Sequence, residues 1–208
     1  YIPRSLWNRF RDDFLAEVED LPMGDVTDFR NFMGAVIDAR AFAKNRDAIE
    51  RAKADPSVEV VAGGTYDDSV GYFVHPTVLV SDDLGNDIFR TEYFGPILGV
   101  HIYDDARYDE VVAQLESVAA YALTGAVIAR DREAIARTTE ALRFAAGNFY
   151  VNDKPTGAVV GQQPFGGGRA SGTNDKAGSM LNLLRWTSPR SIKETFAPAT
   201  DHRYPHMG

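Results

Sequence analysis

Residues 121–151 read YALTGAVIARDREAIARTTEALRFAAGNFYV, and this stretch decides the class of fold. The runs LTGAVIA and NFYV are short and apolar, as buried strands are. Between them, Ile135 and Leu142 lie on one face of a predicted helix, with Asp131 at its N-cap and Gly147 at its end. Strand, helix and strand in this order predict a parallel α/β fold.

The same alternation extends towards the N-terminus. Apolar spacing predicts three further helices, over residues 5–19 with Ser5 as the N-cap, over 38–54 and over 108–118. The runs VEVVAGG, GYFVHPTVLV and ILGVHIY predict strands, and Pro76 predicts an edge or a break in the second of them. These elements continue the α/β pattern.

On the C-terminal side, a glycine-rich loop is predicted from Thr156 to Thr173. A helical segment follows near residues 177–184, and SIKETF at 191–196 predicts a last strand. The tail TDHRYPHMG predicts no regular element, and the chain has no internal repeat.

Composition excludes several function classes. The 208 residues are 44% hydrophobic, which is enough for a substantial core, while a formal charge of -8 argues against a nucleic-acid partner. No apolar run approaches the roughly 18 to 20 residues of a membrane helix. The chain has no cysteine, so it holds no disulfide and no thiolate. The histidines do not share a metal-ligand spacing, and we predict no metal site: His75, His101, His202 and His206.

Four segments, in order along nearly the whole chain, together resemble the aldehyde dehydrogenase superfamily: GYFVHPTVL, TEYFGPIL, YALTGAV with AGNFYVN, and QPFGGGRASG. The sequence NDKPTGAVVGQQPFGGGRASGTNDKAG, followed by LLRWTSPRSIKET, resembles the sequences of the pyrroline-5-carboxylate dehydrogenase branch of this superfamily. The resemblance implies that residues 1–190 are the C-terminal part of a three-layer, parallel-sheet catalytic domain. It also implies that residues 191–208 are a strand and tail that join a neighbouring subunit in a homo-oligomer.

The resemblance assigns NAD binding to Glu92 and Phe94, in TEYFGP. A carboxylate can accept hydrogen bonds from two neighbouring ribose hydroxyls, and a phenyl face can limit the movement of a nicotinamide ring. The alternative is that Glu92 is a solvated loop acid and Phe94 a core residue.

The run Gly166 to Gly168 is not read as a phosphate-binding loop, because it lacks the strand before it, the helix directly after it and the Lys-Ser/Thr pair that such loops need. In the family this segment borders the substrate tunnel, which implies that Phe165 lines the tunnel. An ordinary packed phenylalanine is the equal alternative.

The resemblance assigns the substrate's carboxylate to backbone amides and a small side chain at Gly178 and Ser179, and the substrate's methylenes to Trp186. Glycine lets backbone N–H donors come close to a ligand. The alternative is a helix-entry turn at Gly178 and Ser179 with Trp186 as a core anchor. The remaining cations are mostly expected to be surface charges, although each could pair with a carboxylate: Lys154, Arg169, Lys176 and Arg185.

The family reaction oxidises L-glutamate γ-semialdehyde to L-glutamate with NAD, in proline catabolism, and it needs a cysteine thiolate as nucleophile. These residues supply no cysteine and no catalytic residue, and the opening YIPRSLWNRF resembles the interior of a longer domain. We therefore expect the 208-residue polypeptide to be inactive alone, and the complete enzyme to be cytoplasmic, or mitochondrial in a eukaryote. Two alternatives stay open: a non-catalytic assembly module, and an aldehyde dehydrogenase of another substrate class.

Overall fold

The computed structural model of the chain describes residues 1–155, 157–159, 161–197 and 199–207, so parts of the predicted loop 156–173 lie outside the described residues. The helices are α1 Arg4–Glu19, α2 Ala39–Ala54, α3 Tyr108–Val118, α4 Arg132–Ala141 and α5 Met180–Leu183. The strands are β1 Ile2–Pro3, β2 Glu59–Ala62, β3 Tyr66–Asp67, β4 Phe73–Val74, β5 Thr77–Val80, β6 Ile97–Val100, β7 Ile102–Tyr103, β8 Tyr121–Ala122, β9 Thr124–Val127, β10 Asn148–Val151 and β11 Gly168–Arg169. Short 3₁₀ turns span Asp87–Phe89, Asp105–Arg107, Leu184–Trp186 and Pro205–Met207.

The α/β class is confirmed, but the single parallel sheet is not found among the described residues. The strands form five small sheets, in which β5–β6, β9–β10 and β1–β7 are parallel while β2–β5, β3–β4 and β8–β11 are antiparallel. The strands are two to four residues long, and breaks such as the one at His101 between β6 and β7 divide the ladders. The described strands have mixed pairing, so the predicted three-layer parallel sheet is not confirmed.

Two apolar clusters hold the N-terminal half together. Trp7 of α1 is 4% exposed and packs with residues of β2, β5, β6 and β7. Phe42 and Ile49 of α2 pack with Val74 of β4 in the second cluster. Asp38 caps α2, since its carboxylate accepts a hydrogen bond of 2.8 Å from Ala41 N–H.

Ser5 is not the N-cap of α1, so this prediction is wrong. The helix begins at Arg4 after Pro3, and no side chain caps it. The N–H and the hydroxyl of Ser5 both donate instead to the Asp105 carboxylate, a residue 100 positions away. A long-range acceptor thus replaced the local cap, and local sequence spacing does not report such a contact.

Gly147 does not end α4, because that helix already ends at Ala141. The helix begins after Asp131 as predicted, with the Asp131 carboxylate accepting from Glu133 N–H at 2.9 Å. Gly147 lies just before β10, where a Cβ would come within 2.0 Å of the Gly166 carbonyl oxygen. The glycine is needed for close approach of two backbones rather than for a helix end.

Residues 191–196 form no strand in the described chain, contrary to the prediction from SIKETF. Every residue of the segment is exposed, and Ile192 and Phe196 are among the exposed large side chains. A strand needs a hydrogen-bonded neighbour, and no described residue supplies one here. A role in oligomer formation stays a prediction.

No described helix has the length and apolar character needed to cross a membrane. Within the described ranges, no group of three or more His, Cys, Asp or Glu side chains is arranged to hold a metal ion.

Candidate functional site

The loop that carries Glu92 and Phe94 is anchored at its start by Asp87. The Asp87 carboxylate accepts hydrogen bonds from the hydroxyl of Thr91 and, at 2.6 Å, from the phenol of buried Tyr93. Arg51 lies 3.3 Å from the same carboxylate. These hydrogen bonds, with that from Thr91 the largest cause, hold the pKa of Asp87 below its ordinary value. Burial, and then Asp87, raises the pKa of Tyr93.

Phe94 projects its ring into solvent. The side chain is 78% exposed, so the interpretation of Phe94 as a core residue is wrong. Its φ of 55° lies in the left-handed region, which is strained for a bulky residue and recurs at ligand-binding sites. The next residue, Gly95, lies against fully buried Asn45 of α2, where a Cβ would fall 2.0 Å from Asn45 Oδ1. Helix α2 thus fixes the turn that presents the ring.

Lys44 links the two residues assigned to NAD. Its ammonium donates to the Glu92 carbonyl oxygen and lies 5.7 Å from the centroid of the Phe94 ring. A cation at this distance from an aromatic face is attracted to it. Lys44 could not be identified from the sequence, because the contact joins residues 48 positions apart and no local pattern indicates it.

Glu92 is one of the residues that line a cleft of about 310 Å³. The lining residues are Phe89, Arg90, Thr91, Glu92, Ala119, Tyr121, Leu123 and Thr124. The carboxylate of Glu92 has no hydrogen-bond or ion-pair partner in the part of the chain that the structure describes. An exposed carboxylate at a cleft of this kind can accept hydrogen bonds from hydroxyls of a bound ligand.

Replacing Asp87 by Asn is expected to destabilise the chain by about 1.5 kcal/mol at pH 7, because Thr91 and Tyr93 lose a charged acceptor. This loss corresponds to a fall of roughly 3 to 6 °C in the thermal midpoint. The pKa of Asp87 is lowered in the folded state, so its stabilisation is complete above the unfolded pKa of about 4 and is lost as the pH falls further.

Thermal unfolding of both proteins between pH 7 and pH 3 measures the effect of the Asp87→Asn substitution. The two midpoints are expected to converge below about pH 4. Exposed Asp82→Asn is the matched control and is expected to leave the midpoint unchanged. A gap between Asp87→Asn and the unaltered chain that is constant from pH 7 to pH 3 would contradict this role for Asp87.

The residues assigned to the substrate meet in a second loop. Phe165 and Ala177 exchange two backbone hydrogen bonds of 2.9 and 2.8 Å, which places Phe165 beside Gly178 and Ser179 in the chain. Gly178 has a φ of 84°, and Ser179 N–H donates to the Lys176 carbonyl at 3.1 Å across the turn. Glycine at this position permits the tight turn.

The Ser179 hydroxyl also donates to the Lys176 carbonyl, at 2.7 Å. By contrast, no acceptor for the Gly178 N–H is found among the described residues. The Gly178 N–H is therefore available to a ligand as a donor. The Ser179 hydroxyl becomes available only when it gives up its hydrogen bond to the Lys176 carbonyl. Trp186, at 83% exposure, is not the core anchor of the alternative interpretation.

Three of the four candidate cations have other partners. Arg169 pairs with Glu116 at 2.9 Å, and Arg185 pairs with Asp175 at 2.9 Å. The Lys176 ammonium contacts backbone carbonyls and an amide oxygen. Lys154 is exposed, as expected for a surface charge.

Residues 121–124 separate the two loops and contact both. On one side Tyr121 and Thr124 line the cleft of Glu92. On the other side β8 pairs with β11, and a Cβ on Gly167 would come within 2.7 Å of the Ala122 carbonyl oxygen. No hydrogen bond, ion pair or ring contact joins the Glu92 loop directly to the Gly178 turn within the described residues. The segment 121–124 thus lines the cleft of Glu92 and also contacts the glycine-rich segment at residues 167–169.

Comparison with known proteins gives the same family for the whole chain. Residues 1–192 match the aldehyde dehydrogenase family. The mitochondrial delta-1-pyrroline-5-carboxylate dehydrogenase of Bos taurus is 50% identical over 208 residues, which are 100% of this chain and 37% of the relative. The chain thus spans a little over a third of that protein's length.

Two solved structures extend the comparison. The Mycobacterium tuberculosis delta-pyrroline-5-carboxylate dehydrogenase bound with NAD is 62% identical, with a TM-score of 0.84 over 100% of this chain and 37% of that one. The 1-pyrroline-5-carboxylate dehydrogenase from Thermus with bound NAD is 34% identical, with a TM-score of 0.75 over 88% of this chain and 34% of that one. This chain belongs to the aldehyde dehydrogenase family.

Proposed function

We propose that these residues serve an NAD-dependent dehydrogenase that oxidises L-glutamate γ-semialdehyde to L-glutamate in proline catabolism. The observation that carries the proposal is the 62% identity, over the whole chain, to the NAD-bound M. tuberculosis pyrroline-5-carboxylate dehydrogenase. The exposed Glu92 carboxylate at its cleft and the glycine turn at Gly178 support it from geometry.

The first loop suits NAD. The free Glu92 carboxylate would accept hydrogen bonds from the ribose hydroxyls, while the exposed Phe94 ring would limit the position of the nicotinamide. Lys44 holds both residues from α2. Bound NAD supplies the hydride acceptor for the oxidation. The contribution of this loop is to bind and orient the cofactor.

The second loop suits a carboxylate. The Gly178 N–H has no acceptor within the described residues, and a carboxylate supplies a charged one. The Ser179 hydroxyl can turn from the Lys176 carbonyl to the same ligand. Phe165 would line the tunnel beside this turn and Trp186 would contact the methylenes. The attack on the aldehyde needs a thiolate, which these residues do not contain, so that step falls to a group outside them.

The proposal can be tested in a chimera with a longer relative. The chimera is the M. tuberculosis relative in which these 208 residues replace the matching 37% of the chain. In the chimera, Ser179→Ala is expected to raise KM for glutamate semialdehyde about fivefold. A hydroxyl bound to a charged group contributes about 1.5 to 3 kcal/mol, and loss of the bond to Lys176 offsets about 1 kcal/mol of it. The remainder is about 0.5 to 2 kcal/mol, and a value of about 1 kcal/mol within this range corresponds to about fivefold.

Steady-state kinetics on glutamate semialdehyde and on pentanal separate this role from general damage. Pentanal has the same chain length but neither the carboxylate nor the α-amino group, and its KM is expected to stay unchanged in the Ser179→Ala chimera. Exposed Ser188→Ala is the matched control. If KM for glutamate semialdehyde does not rise, the Ser179 hydroxyl has no part in carboxylate binding.

We also infer a part in assembly for residues 191–208. The exposed apolar side chains of Ile192 and Phe196 favour this role, as does the absence of a partner strand among the described residues. An added strand would gain backbone hydrogen bonds from a neighbouring subunit. The mass of the chimera in solution, measured with and without residues 191–208, tests this role. The deletion is expected to lower the number of subunits in the oligomer.

A further inference from the structure

A buried side-chain amide of helix α2 has an oxygen without a hydrogen-bond partner. Asn45 is 0% exposed, and its Nδ2 donates to the Ala41 carbonyl at 2.8 Å, one turn earlier in the helix. Its Oδ1 is buried as well, and no described residue donates a hydrogen bond to it. Most buried polar atoms are paired, and an unpaired one lowers the stability of a fold. Stability of the fold alone therefore does not explain an asparagine at this position.

The amide of Asn45 lies directly against Gly95, in the loop that carries Glu92 and Phe94. A Cβ on Gly95 would fall 2.0 Å from Oδ1, 2.4 Å from Cγ and 2.5 Å from Nδ2 of Asn45, and no other atoms would be nearer. Real Cβ atoms do not come this close to other atoms. The φ of Gly95 lies outside the left-handed region, so its backbone conformation suits other residues too. The Asn45 amide therefore excludes a side chain at residue 95.

The backbone after Phe94 is held between helix α2 and strand β5. The Pro96 carbonyl accepts a hydrogen bond of 2.8 Å from Thr77 N–H of β5. The Asn45 amide contacts the neighbouring Gly95 from the helix side. Phe94, one residue earlier, has the left-handed φ of 55° that a bulky residue adopts only when its surroundings hold it there. The contact at Gly95 supplies part of that hold.

We propose that Asn45 is a positioning residue for the NAD cofactor. Its amide supports Gly95 and so holds the turn at Phe94, which places the Phe94 ring and the Glu92 carboxylate for NAD. The inference rests on the proposed role of Glu92 and Phe94 in NAD binding. Lys44, the preceding residue of α2, contacts the Glu92 carbonyl and the Phe94 ring. Two neighbouring residues of one helix therefore hold the segment from Glu92 to Gly95.

A double-mutant cycle at residues 45 and 95 in the chimera tests the contact. The dissociation constant of NAD is measured by calorimetry without aldehyde. Gly95→Ala is expected to raise this constant at least about tenfold, because its Cβ displaces the loop from the Asn45 amide. Asn45→Ala is expected to raise it about threefold, since the loop loses its support. In the double variant the added methyl group occupies the space of the missing amide, and we expect binding within about threefold of the unaltered chimera.

Asn45→Leu separates a positioning role from a role in stability. Leucine has nearly the shape of asparagine, but its methyl groups are larger than the amide atoms and press on Gly95. The substitution also removes the unpaired buried oxygen, so the thermal midpoint without NAD is expected to stay unchanged or to rise. The dissociation constant of NAD is expected to rise about fivefold, with KM for glutamate semialdehyde at saturating NAD within about twofold. Exposed Asn8→Ala is the matched control.

Additive effects of the two alanine substitutions, or unchanged NAD binding in Asn45→Ala and Asn45→Leu, would overturn the inference. If Gly95→Ala alone does not fold, a folded double variant that binds NAD supports the inference, and an unfolded double variant overturns it. Glu92→Gln tests the proposed function separately and is expected to weaken NAD binding about tenfold. Unchanged NAD binding in Glu92→Gln means that the proposed function of this loop fails. Weaker binding in Glu92→Gln together with additive effects at residues 45 and 95 overturns the role of Asn45 alone.

Discussion

Gly147→Ala is expected to destabilise the chain by about 3 kcal/mol, the upper end of the usual cost of overpacking. A Cβ at this position would lie 2.0 Å from the Gly166 carbonyl oxygen and 2.7 Å from Gly167 Cα. Both atoms belong to backbone, so no side-chain rotation relieves the contact, and the loop must move away from β10. The thermal midpoint is expected to fall by roughly 6 to 12 °C.

Gly168→Ala is the matched control for Gly147→Ala. It lies in the same glycine-rich segment, and an added Cβ would meet no atom within 4 Å. We expect a change of at most about 0.5 kcal/mol, with a small gain if the alanine restricts the unfolded chain. Thermal unfolding of the three proteins measures the difference. Equal midpoints for the two variants would contradict the close approach of Gly147 and Gly166.

The second large effect concerns catalysis by the 208-residue polypeptide itself. Without a cysteine there is no thiolate to attack an aldehyde, so we expect no NADH formation above the uncatalysed rate. We expect the M. tuberculosis part of the chimera to supply the thiol, so the chimera is expected to turn over. The rate of NADH formation is measured by absorbance for the polypeptide and for the chimera, at equal protein concentration and with glutamate semialdehyde and NAD present. NADH formation by the polypeptide alone would contradict the need for an external nucleophile.

Much of the local structure could be predicted from the sequence. The helix over 108–118, the Asp131 cap and the strand NFYV depend on short-range spacing, and the structure confirms all three. Pro76 also separates β4 from β5 as predicted. These features follow from interactions between residues close in the chain, which apolar periodicity and capping chemistry report.

The pairing of strands could not be predicted in the same way. The parallel sheet was inferred from element order, whereas β2 pairs antiparallel with β5, a partner that element order does not identify. Ser5 likewise donates a hydrogen bond to Asp105, and Lys44 donates one to Glu92, although the partners lie far apart in the sequence. Such contacts depend on tertiary structure.

For the candidate site, the resemblance identified residues but not their roles in the structure. Phe94 was assigned to the cofactor, but its left-handed backbone and exposed ring are properties of the folded loop. Lys176 was one of four cations that were mostly expected to be surface charges, and its ammonium contacts three oxygens. Gly178 has the backbone conformation that favours glycine, as its assigned close approach to a ligand requires.

The central claim is that the Gly178 turn selects an aldehyde that carries a carboxylate. The most direct test is kcat/KM of the chimera on glutamate semialdehyde and on pentanal, measured under the same conditions with NAD. Hydrogen bonds to a charged group contribute about 1.5 to 3 kcal/mol each, so one retained contact predicts a preference of at least about tenfold for glutamate semialdehyde. Equal kcat/KM for the two aldehydes would contradict the claim.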